Sequence, residues 1–311
     1  MVLTVNDKGR KDYIIKVFIK EMLQMGNQET IMKTTNGILH KYQTLCTWMH
    51  SLDRNISLCA SMHMPNKIPK IYLFHQTNGA KPSWVQQGII IQDLKDLKIR
   101  TVKSTSRRPE HKQDAQSFYT ITANAYTNKP RVVKIQRELY QKAVQLLNLK
   151  SISNPQSKCV LDLGCGIGIC SHYFCHLSNH CNCAVIGVDI SQEMLNQTKQ
   201  SVNNGYISLL LNDIGQGLPF KAKSVDAAIS ISTLQWIMSS GYTMKLNMFF
   251  KSLGQCLTQG GRAVIQFYPN NSHEVEELIK TVSKYFNGVL LADFPHNDDA
   301  VKLFLCLENP G

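Results

Sequence analysis

The sequence predicts an α/β fold built on a mainly parallel sheet, and three observations carry this prediction. Short apolar runs alternate with amphipathic helical patterns from about residue 118 onward. A glycine-rich turn, Gly164 to Gly168, joins one of these runs directly to a helical pattern. The last two runs are separated by too few residues for a crossover helix, so they predict a hairpin. We therefore expect a seven-stranded sheet with helices on both faces and one antiparallel strand.

The predicted elements follow one another in a regular order. The apolar runs predict strands over residues 159–163, 184–189, 208–213, 225–231, 262–268, 288–293 and 301–307. Helical periodicity predicts helices over residues 132–149, from the glycine turn through Phe174, 191–197, 244–257 and 273–286. Ser191 is expected to cap the helix that it opens.

Composition excludes several classes of protein. The chain has 311 residues, of which 43% are hydrophobic and 18% charged, so it is not wholly disordered. No uninterrupted apolar run approaches the length of a membrane-spanning helix, and we expect no membrane association. The first residues carry acids among the bases and no small-residue cleavage site, which argues against a secretory signal or a transit peptide. The ten irregularly spaced cysteines predict free thiols in a reducing compartment.

The charge balance indicates a polyanionic partner. The formal net charge is +12, and both the first hundred residues and the remainder are basic. Nucleic acid is the simplest partner of such a chain. Ordinary solubility charge is the alternative, and charge alone does not decide between them.

The chain changes character near residue 105. Residues 1–105 have patchy periodicity and no alternation of strands and helices, so they predict an extension of unknown, poorly ordered structure. A polar linker over residues 104–112 follows. Residues 106–311 predict the α/β domain.

Three acids stand at or after the ends of three successive predicted strands. Asp162 precedes the glycine turn, Asp189 lies 21 residues beyond Gly168, and Asp213 ends the third strand. A single acid at such a place is usually a loop cap. Three acids along one sheet edge indicate a ligand: Asp189 is placed to accept hydrogen bonds from a ribose, and Asp213 to reach an adenine amino group, with Ile214 beside the ring.

The position of Asp162 distinguishes two nucleoside ligands. A dinucleotide-binding turn has no acid two residues before its first glycine, because a carboxylate repels a pyrophosphate. S-adenosylmethionine carries a sulfonium and an ammonium, and an acid-lined pocket suits both. The glycine turn therefore favours S-adenosylmethionine, with Asp162 expected to orient its ammonium.

Six segments resemble one family of S-adenosylmethionine-dependent enzymes. They are residues 125–136, 162–168, 188–191, 212–220, 230–236 and 266–270. They are similar to the eukaryotic small-subunit (18S) rRNA guanine-N7 methyltransferases, which belong to class I of the S-adenosylmethionine-dependent methyltransferases. The resemblance covers about residues 106–308, and its most specific parts are residues 213–220 and 230–236.

The resemblance implies a fold, a reaction and partners. The fold would be the Rossmann-like class I methyltransferase fold. The protein would methylate N7 of a guanine in small-subunit rRNA during ribosome biogenesis, in the nucleus and in part in the cytoplasm. Its partners would be the pre-ribosomal small subunit and a small zinc-binding activator subunit, docked through strand addition.

The candidate cofactor-binding residues lie in the segments just described. They are Tyr126, Arg131, Asp162, Gly164, Cys165, Gly166, Asp189, Ile190, Asp213, Ile214 and Ser230. Tyr126 and Arg131 are expected to cover the cofactor, although Arg131 fits equally well as a solvated charge at a helix start.

Methylation of guanine N7 needs no general base, because this nitrogen carries no proton to remove. We therefore nominate no catalytic acid or base and expect positioning to supply the catalysis. Trp236 and Tyr268 are candidates for stacking on the guanine, and packing beneath a neighbouring helix is the alternative for both.

Eight cysteines and histidines crowd residues 165–183. Their spacing lacks the paired pattern of a zinc site, so we predict no metal. Two other functions stay open on sequence alone: a methyltransferase for a small molecule or another RNA, and a non-catalytic cofactor-binding factor in ribosome assembly.

Overall fold

A computed structural model describes the part of the chain that carries the predicted domain. The described residues are 70–74, 97, 99, 108–127, 129–149, 158–169, 183–201, 207–238, 242–293 and 301–311. All of them belong to one compact unit, residues 55–84 and 91–311. No helix within these ranges is long and apolar enough to cross a membrane.

The sheet contains eight strands in the described ranges, in the order β1-β7-β8-β6-β5-β2-β3-β4. Their bounds are β1 (Lys70–Phe74), β2 (Lys158–Leu163), β3 (Cys183–Asp189), β4 (Ile207–Leu211), β5 (Val225–Ile231), β6 (Leu257–Phe267), β7 (Asn287–Asp293) and β8 (Lys302–Glu308). Strands β2 to β8 confirm the seven predicted ones, and β8 is the expected antiparallel strand. Strand β1 was not predicted; it pairs antiparallel with β7 and makes an eighth strand.

Helices cover the sheet. They are α1 (Ala115–Thr127), α2 (Pro130–Leu147), α3 (Gln192–Ser201), α4 (Leu234–Met238), α5 (Tyr242–Cys256) and α6 (Ser272–Val282), with 3₁₀ turns at Pro109–His111 and Ile214–Gln216. The predictions for α2, α3, α5 and α6 are confirmed to within a few residues. Ser191 caps α3 as expected, because its Oγ accepts a hydrogen bond from the Met194 amide. The predicted helix after the glycine turn lies outside the described residues beyond Ile169.

Helix α1 is a helix that the sequence analysis missed. Its thirteen residues contain no charged side chain, and its apolar residues are clustered instead of falling on one clean stripe. Its start is held by Asp114, which accepts hydrogen bonds from the backbone N–H and the hydroxyl of Ser117. Because Asp114 is exposed, these hydrogen bonds are what keep the pKa of its carboxyl below the usual value.

Helix α5 anchors the most apolar part of the core. Phe249 and Phe250 are fully buried, and the Phe250 ring meets Phe286 edge-on at 6.4 Å. Truncating a buried phenylalanine to alanine costs about 3–5 kcal/mol. Helix α5 also contacts the 3₁₀ turn Ile214–Gln216 that follows β4, where the candidate site lies.

Two parts of the chain before residue 106 contribute to this unit. Strand β1 extends the sheet beyond β7. Leu97 is 7% exposed within the core cluster, and its carbonyl oxygen accepts a hydrogen bond from the Ser272 hydroxyl at 2.9 Å. The division of the chain at residue 105 stays a prediction.

Candidate functional site

A cavity of about 330 Å³ opens at the carboxyl ends of the parallel strands. Strand β2 lies between β5 and β3, so the strand order reverses beside it, and ligands of open α/β sheets bind at such a point. Predicted residues that line the cavity are Gly164, Cys165, Gly166, Asp189, Ile190, Asp213, Ile214 and Trp236. The structure therefore brings together most of the predicted site.

The glycine turn has a conformation that other residues adopt at a cost. Gly164, Gly166 and Gly168 have φ values of +74°, +54° and +75°. A Cβ on Gly164 would lie 2.1 Å from the Thr233 hydroxyl oxygen, whereas a Cβ on Gly166 would meet no atom of the described residues within 4 Å beyond its own chain neighbours. Gly166 is thus the position at which the backbone itself borders open space in the cavity.

Asp189 has the geometry of a preorganised acceptor. Its Oδ2 accepts a hydrogen bond from the Gly166 amide at 2.8 Å, and its Oδ1 accepts one from the Ser191 amide at 2.9 Å. Burial raises the pKa of this carboxyl, and the two amide hydrogen bonds oppose that rise. Each carboxylate oxygen can accept a further hydrogen bond, so the pair suits two adjacent hydroxyls of a ligand.

Asp213 and Ile214 form the next part of the wall. Asp213 caps the 3₁₀ turn, because its Oδ1 accepts a hydrogen bond from the Gly215 amide at 2.9 Å. Its Oδ2 accepts one from the Gln216 side chain at 3.3 Å. Asp213 can therefore cap the turn and also bind a ligand, since its carboxylate still borders the cavity beside the buried Ile214.

Asp162 and Ser230 are buried without lining the cavity. Asp162 is fully buried, and its Oδ1 accepts a hydrogen bond from the Tyr140 hydroxyl at 3.1 Å. Tyr140 does line the cavity, so Asp162 can orient a cavity group through this phenol. The Ser230 hydroxyl donates to the Leu163 carbonyl oxygen at 2.8 Å, which ties the ends of β5 and β2 together.

The cysteines of the site are unreactive by environment. Burial raises the pKa of the Cys165 thiol well above its usual value, and the nearby carboxylates of Asp162 and Asp189 add to the rise. Cys165 is a free and buried thiol, and Cys183 is buried as well. The rest of the cysteine–histidine cluster lies outside the described residues, and within those residues no three His, Cys, Asp or Glu side chains are grouped to hold a metal.

The two aromatic candidates are placed differently. Trp236 lines the cavity, and its ring packs against Phe118 at 5.5 Å and Tyr119 at 5.4 Å. Tyr268 does not line the cavity; its ring lies 5.3 Å from the Lys302 ammonium. Only Trp236 is therefore positioned to meet a base that enters the cavity.

Of the two residues expected to cover the cofactor, the structure describes the side chain of Arg131. Arg131 lies exposed in the first turn of α2 and does not line the cavity. Tyr126 lies in α1, and its side chain is outside the described residues.

The rim contains a network that the sequence analysis missed. Arg108 donates to the Tyr268 carbonyl oxygen at 2.5 Å, to Asn270 Oδ1 at 3.2 Å and to the Glu110 carboxylate at 2.5 Å. Glu110 and His111 line the cavity, and His111 Nε2 lies 2.8 Å from Asn270 Oδ1. Arg108 thus fastens one wall of the cavity to the loop after β6. Tyr268 and Asn270 are about 160 residues from Arg108 in sequence, so no local pattern marks these contacts.

Comparison with known proteins finds a methyltransferase family model and several rRNA methyltransferases. A family model described as a methyltransferase domain matches residues 161–265. The 18S rRNA (guanine-N(7))-methyltransferase of Mus musculus is 36% identical over 211 residues, which cover 66% of this chain and 72% of that protein. The probable 18S rRNA (guanine-N(7))-methyltransferase of Dictyostelium discoideum is 37% identical over 207 residues, or 64% of this chain and 69% of that protein.

Solved structures are more distant. Magnesium protoporphyrin IX methyltransferase from Synechocystis, with bound SAM, has a TM-score of 0.48 and 14% identity and covers 66% of this chain and 99% of its own. A chain from the complex between the Haloferax volcanii Trm112 methyltransferase activator and a methyltransferase has a TM-score of 0.43 and 18% identity, covering 64% of this chain and 99% of its own.

Proposed function

The chain belongs to the 18S rRNA (guanine-N7)-methyltransferase family, and we propose that it transfers a methyl group from S-adenosylmethionine to N7 of a guanine in small-subunit rRNA. The observation that carries the proposal is the row of acceptors at the sheet edge: Asp189 and Asp213 border one cavity beside the open face of Gly166. This function places the protein in ribosome biogenesis.

The side chains that line the cavity fit S-adenosylmethionine. Asp189 would hold the two ribose hydroxyls, and Asp213 with Ile214 would hold the adenine. Tyr140, backed by Asp162, lies where the polar end of the methionine part would be oriented. When bound, the cofactor supplies an electrophilic methyl group on a positively charged sulfur. The carboxylates that line the cavity would stabilise the positive charge on this sulfur.

Catalysis rests on positioning by this chain. Guanine N7 has a free lone pair in the plane of the base, so no described side chain has to remove a proton. Alignment of two reactants at about 3–3.5 Å can supply several kcal/mol of rate enhancement. Trp236, steadied by Phe118 and Tyr119, offers a flat apolar surface for the guanine, and stacking of a base on an aromatic ring is worth roughly 1–3 kcal/mol.

We propose that a small zinc-binding activator subunit adds a strand at β4. Strand β4 lies at one end of the sheet, and the described residues place no strand on its outer side. Leu211 at its end is 52% exposed. An exposed edge with apolar side chains is a template for strand addition by a partner.

We further propose that the protein acts on the pre-ribosomal small subunit in the nucleus. The +12 net charge of the chain supports a substrate that is rich in phosphate.

Transfer of a labelled methyl group tests the function directly. The full chain, alone and with the activator, is incubated with labelled S-adenosylmethionine and with unmethylated small-subunit RNA or large-subunit RNA. We expect label only in the small-subunit RNA, recovered as 7-methylguanosine. Label in another nucleoside, or no label under any condition, would contradict the proposal.

A further inference from the structure

Helix α2 carries a row of cations at its beginning. Lys129, Arg131, Lys134 and Arg137 are all exposed, and three of them follow one another at intervals of three residues along the helix. Residues at this spacing lie on one side of a helix. The second half of α2 has no such row, since none of its residues after Arg137 is exposed and its lysine, Lys142, pairs with the Asp293 carboxylate.

These cations have little counter-charge within the described residues. Lys134 lies 4.0 Å from the Glu138 carboxylate, and the Lys134 side chain is 78% exposed. Such an exposed i,i+4 pair contributes only about 0.3–0.5 kcal/mol and is screened by salt. Lys129, Arg131 and Arg137 have no acidic partner among the described residues. Four cations on one stretch of nine residues therefore create a positive potential at this surface.

The row lies on the outer face of a helix that also forms part of the cavity wall. The other side of α2 faces inward, where Gln136 and Tyr140 line the cavity. The Gln136 amide donates to the Ser232 hydroxyl at 3.2 Å, which fixes this part of the helix to the end of β5. Acids therefore line the interior of the cavity, as at Asp189, while the cations lie on the exposed face of a helix that contributes to its wall.

We propose that Lys129, Arg131, Lys134 and Arg137 bind the phosphate backbone of the RNA strand that presents its guanine to the cavity. The inference rests on the proposed function and extends it to a substrate-docking surface. Arg131 and Arg137 are six residues apart, so the row spans about 9 Å of helix. That length lets separate side chains of the row reach more than one phosphate of the same strand.

The proposal also gives Arg131 a role that fits its position. The sequence suggested that Arg131 covers the cofactor, but its side chain is exposed and does not line the cavity. A cation outside the rim suits a polyanion better than it suits a cofactor that is itself positively charged.

A triple substitution, Lys129→Gln, Lys134→Gln and Arg137→Gln, tests the row in the full chain and leaves Arg131, a candidate cofactor residue, in place. The matched control is Lys221→Gln, Lys251→Gln and Lys280→Gln, which removes the same charge from other exposed positions. Binding of a fluorescent single-stranded RNA is followed by anisotropy over a range of salt concentrations. For the α2 variant we expect at least tenfold weaker binding and a salt slope shallower by roughly 2, because each lost phosphate contact removes about 0.7. The control should bind almost as tightly as the unmodified chain.

Methylation kinetics separate docking from chemistry. The α2 variant should raise KM for RNA and leave both kcat at saturating RNA and the affinity for S-adenosylmethionine unchanged. Equal loss of RNA binding in both variants would overturn the proposal, as would weaker cofactor binding in the α2 variant alone. If the unmodified chain methylates no RNA, the proposed function fails, and the anisotropy comparison still decides whether α2 binds RNA.

Discussion

Replacing Gly166 with alanine isolates the part of the glycine turn that borders the cavity. The backbone hydrogen bonds of Gly166 survive this change: its amide still donates to Asp189 at 2.8 Å, and its carbonyl oxygen still accepts from the Thr198 hydroxyl at 2.7 Å. The substitution adds only a methyl group, and apart from the neighbouring residues in the chain no described atom lies within 4 Å of it.

Gly260 provides the matched control. Its φ is +71°, against +54° for Gly166, and a Cβ added there also meets nothing within 4 Å. Gly260 lies near the start of β6, whereas the cavity lies at the carboxyl ends of the parallel strands. Each alanine variant should lose about 1–2 kcal/mol of stability, the cost of a left-handed conformation for a residue with a Cβ. The melting temperature of both should fall by roughly 2–8 °C.

Cofactor affinity should separate the two variants. The Gly166→Ala methyl occupies space that the cofactor needs, so titration calorimetry with S-adenosylmethionine should show a loss of at least about tenfold, or 1.4 kcal/mol. Gly260→Ala should bind as the unmodified protein does. Equal affinity in both variants, at equal melting temperatures, would refute the assignment of the glycine turn to the cofactor site.

Three further predictions concern the rim, Asp189 and the buried thiols. Arg108→Ala should raise KM for S-adenosylmethionine more than it lowers kcat, because the cavity wall around Glu110 loses the Arg108 contacts to the loop after β6 and is left with the contact between His111 and Asn270. Arg108→Lys should recover only part of the loss, since lysine cannot make the forked contacts. Cofactor affinity should fall as the pH drops through the raised pKa of Asp189, because protonation removes an acceptor; an affinity that stays flat from neutral pH down to the unfolding limit would contradict this. Burial raises the pKa of Cys256 and of Cys306 to about 12, so peptide mapping after alkylation of the native protein near neutral pH should find both unmodified, and labelling before unfolding would contradict their burial.

The parts of the fold that the sequence predicted are those fixed by local pattern. The parallel strands contain short apolar runs, largely buried except in β4, so the sequence pattern alone marks them. The glycine turn and the acids after β3 and β4 were predicted because a sheet brings the carboxyl ends of parallel strands to one edge. Strand β1 was missed because residues 70–74 form a strand through pairing with β7, more than two hundred residues away.

The candidate site shows the same limit. Asp189 and Asp213 lie at or just after the ends of strands that the sequence predicts, and the structure places both at the cavity. Tyr140 and Arg108 reach the site through partners distant in sequence, and nothing in their neighbourhoods reveals it. Tyr268 ends its strand much as the acids do, but its ring lies beside Lys302 on β8 and away from the cavity. Side-chain direction at a strand end depends on packing that periodicity does not contain.

The most direct test of the account is the affinity of Asp189→Ala for S-adenosylhomocysteine and for its 2′,3′-dideoxy analogue, measured by calorimetry. The unmodified chain should prefer the natural ligand by roughly 1–3 kcal/mol, because the analogue leaves the carboxylate without its donors. Asp189→Ala should bind both ligands weakly and equally well, while circular dichroism shows that it keeps its fold. A variant that still prefers the natural ligand by the same margin would show that the acceptors at this sheet edge do not hold the ribose, and the central claim would fail.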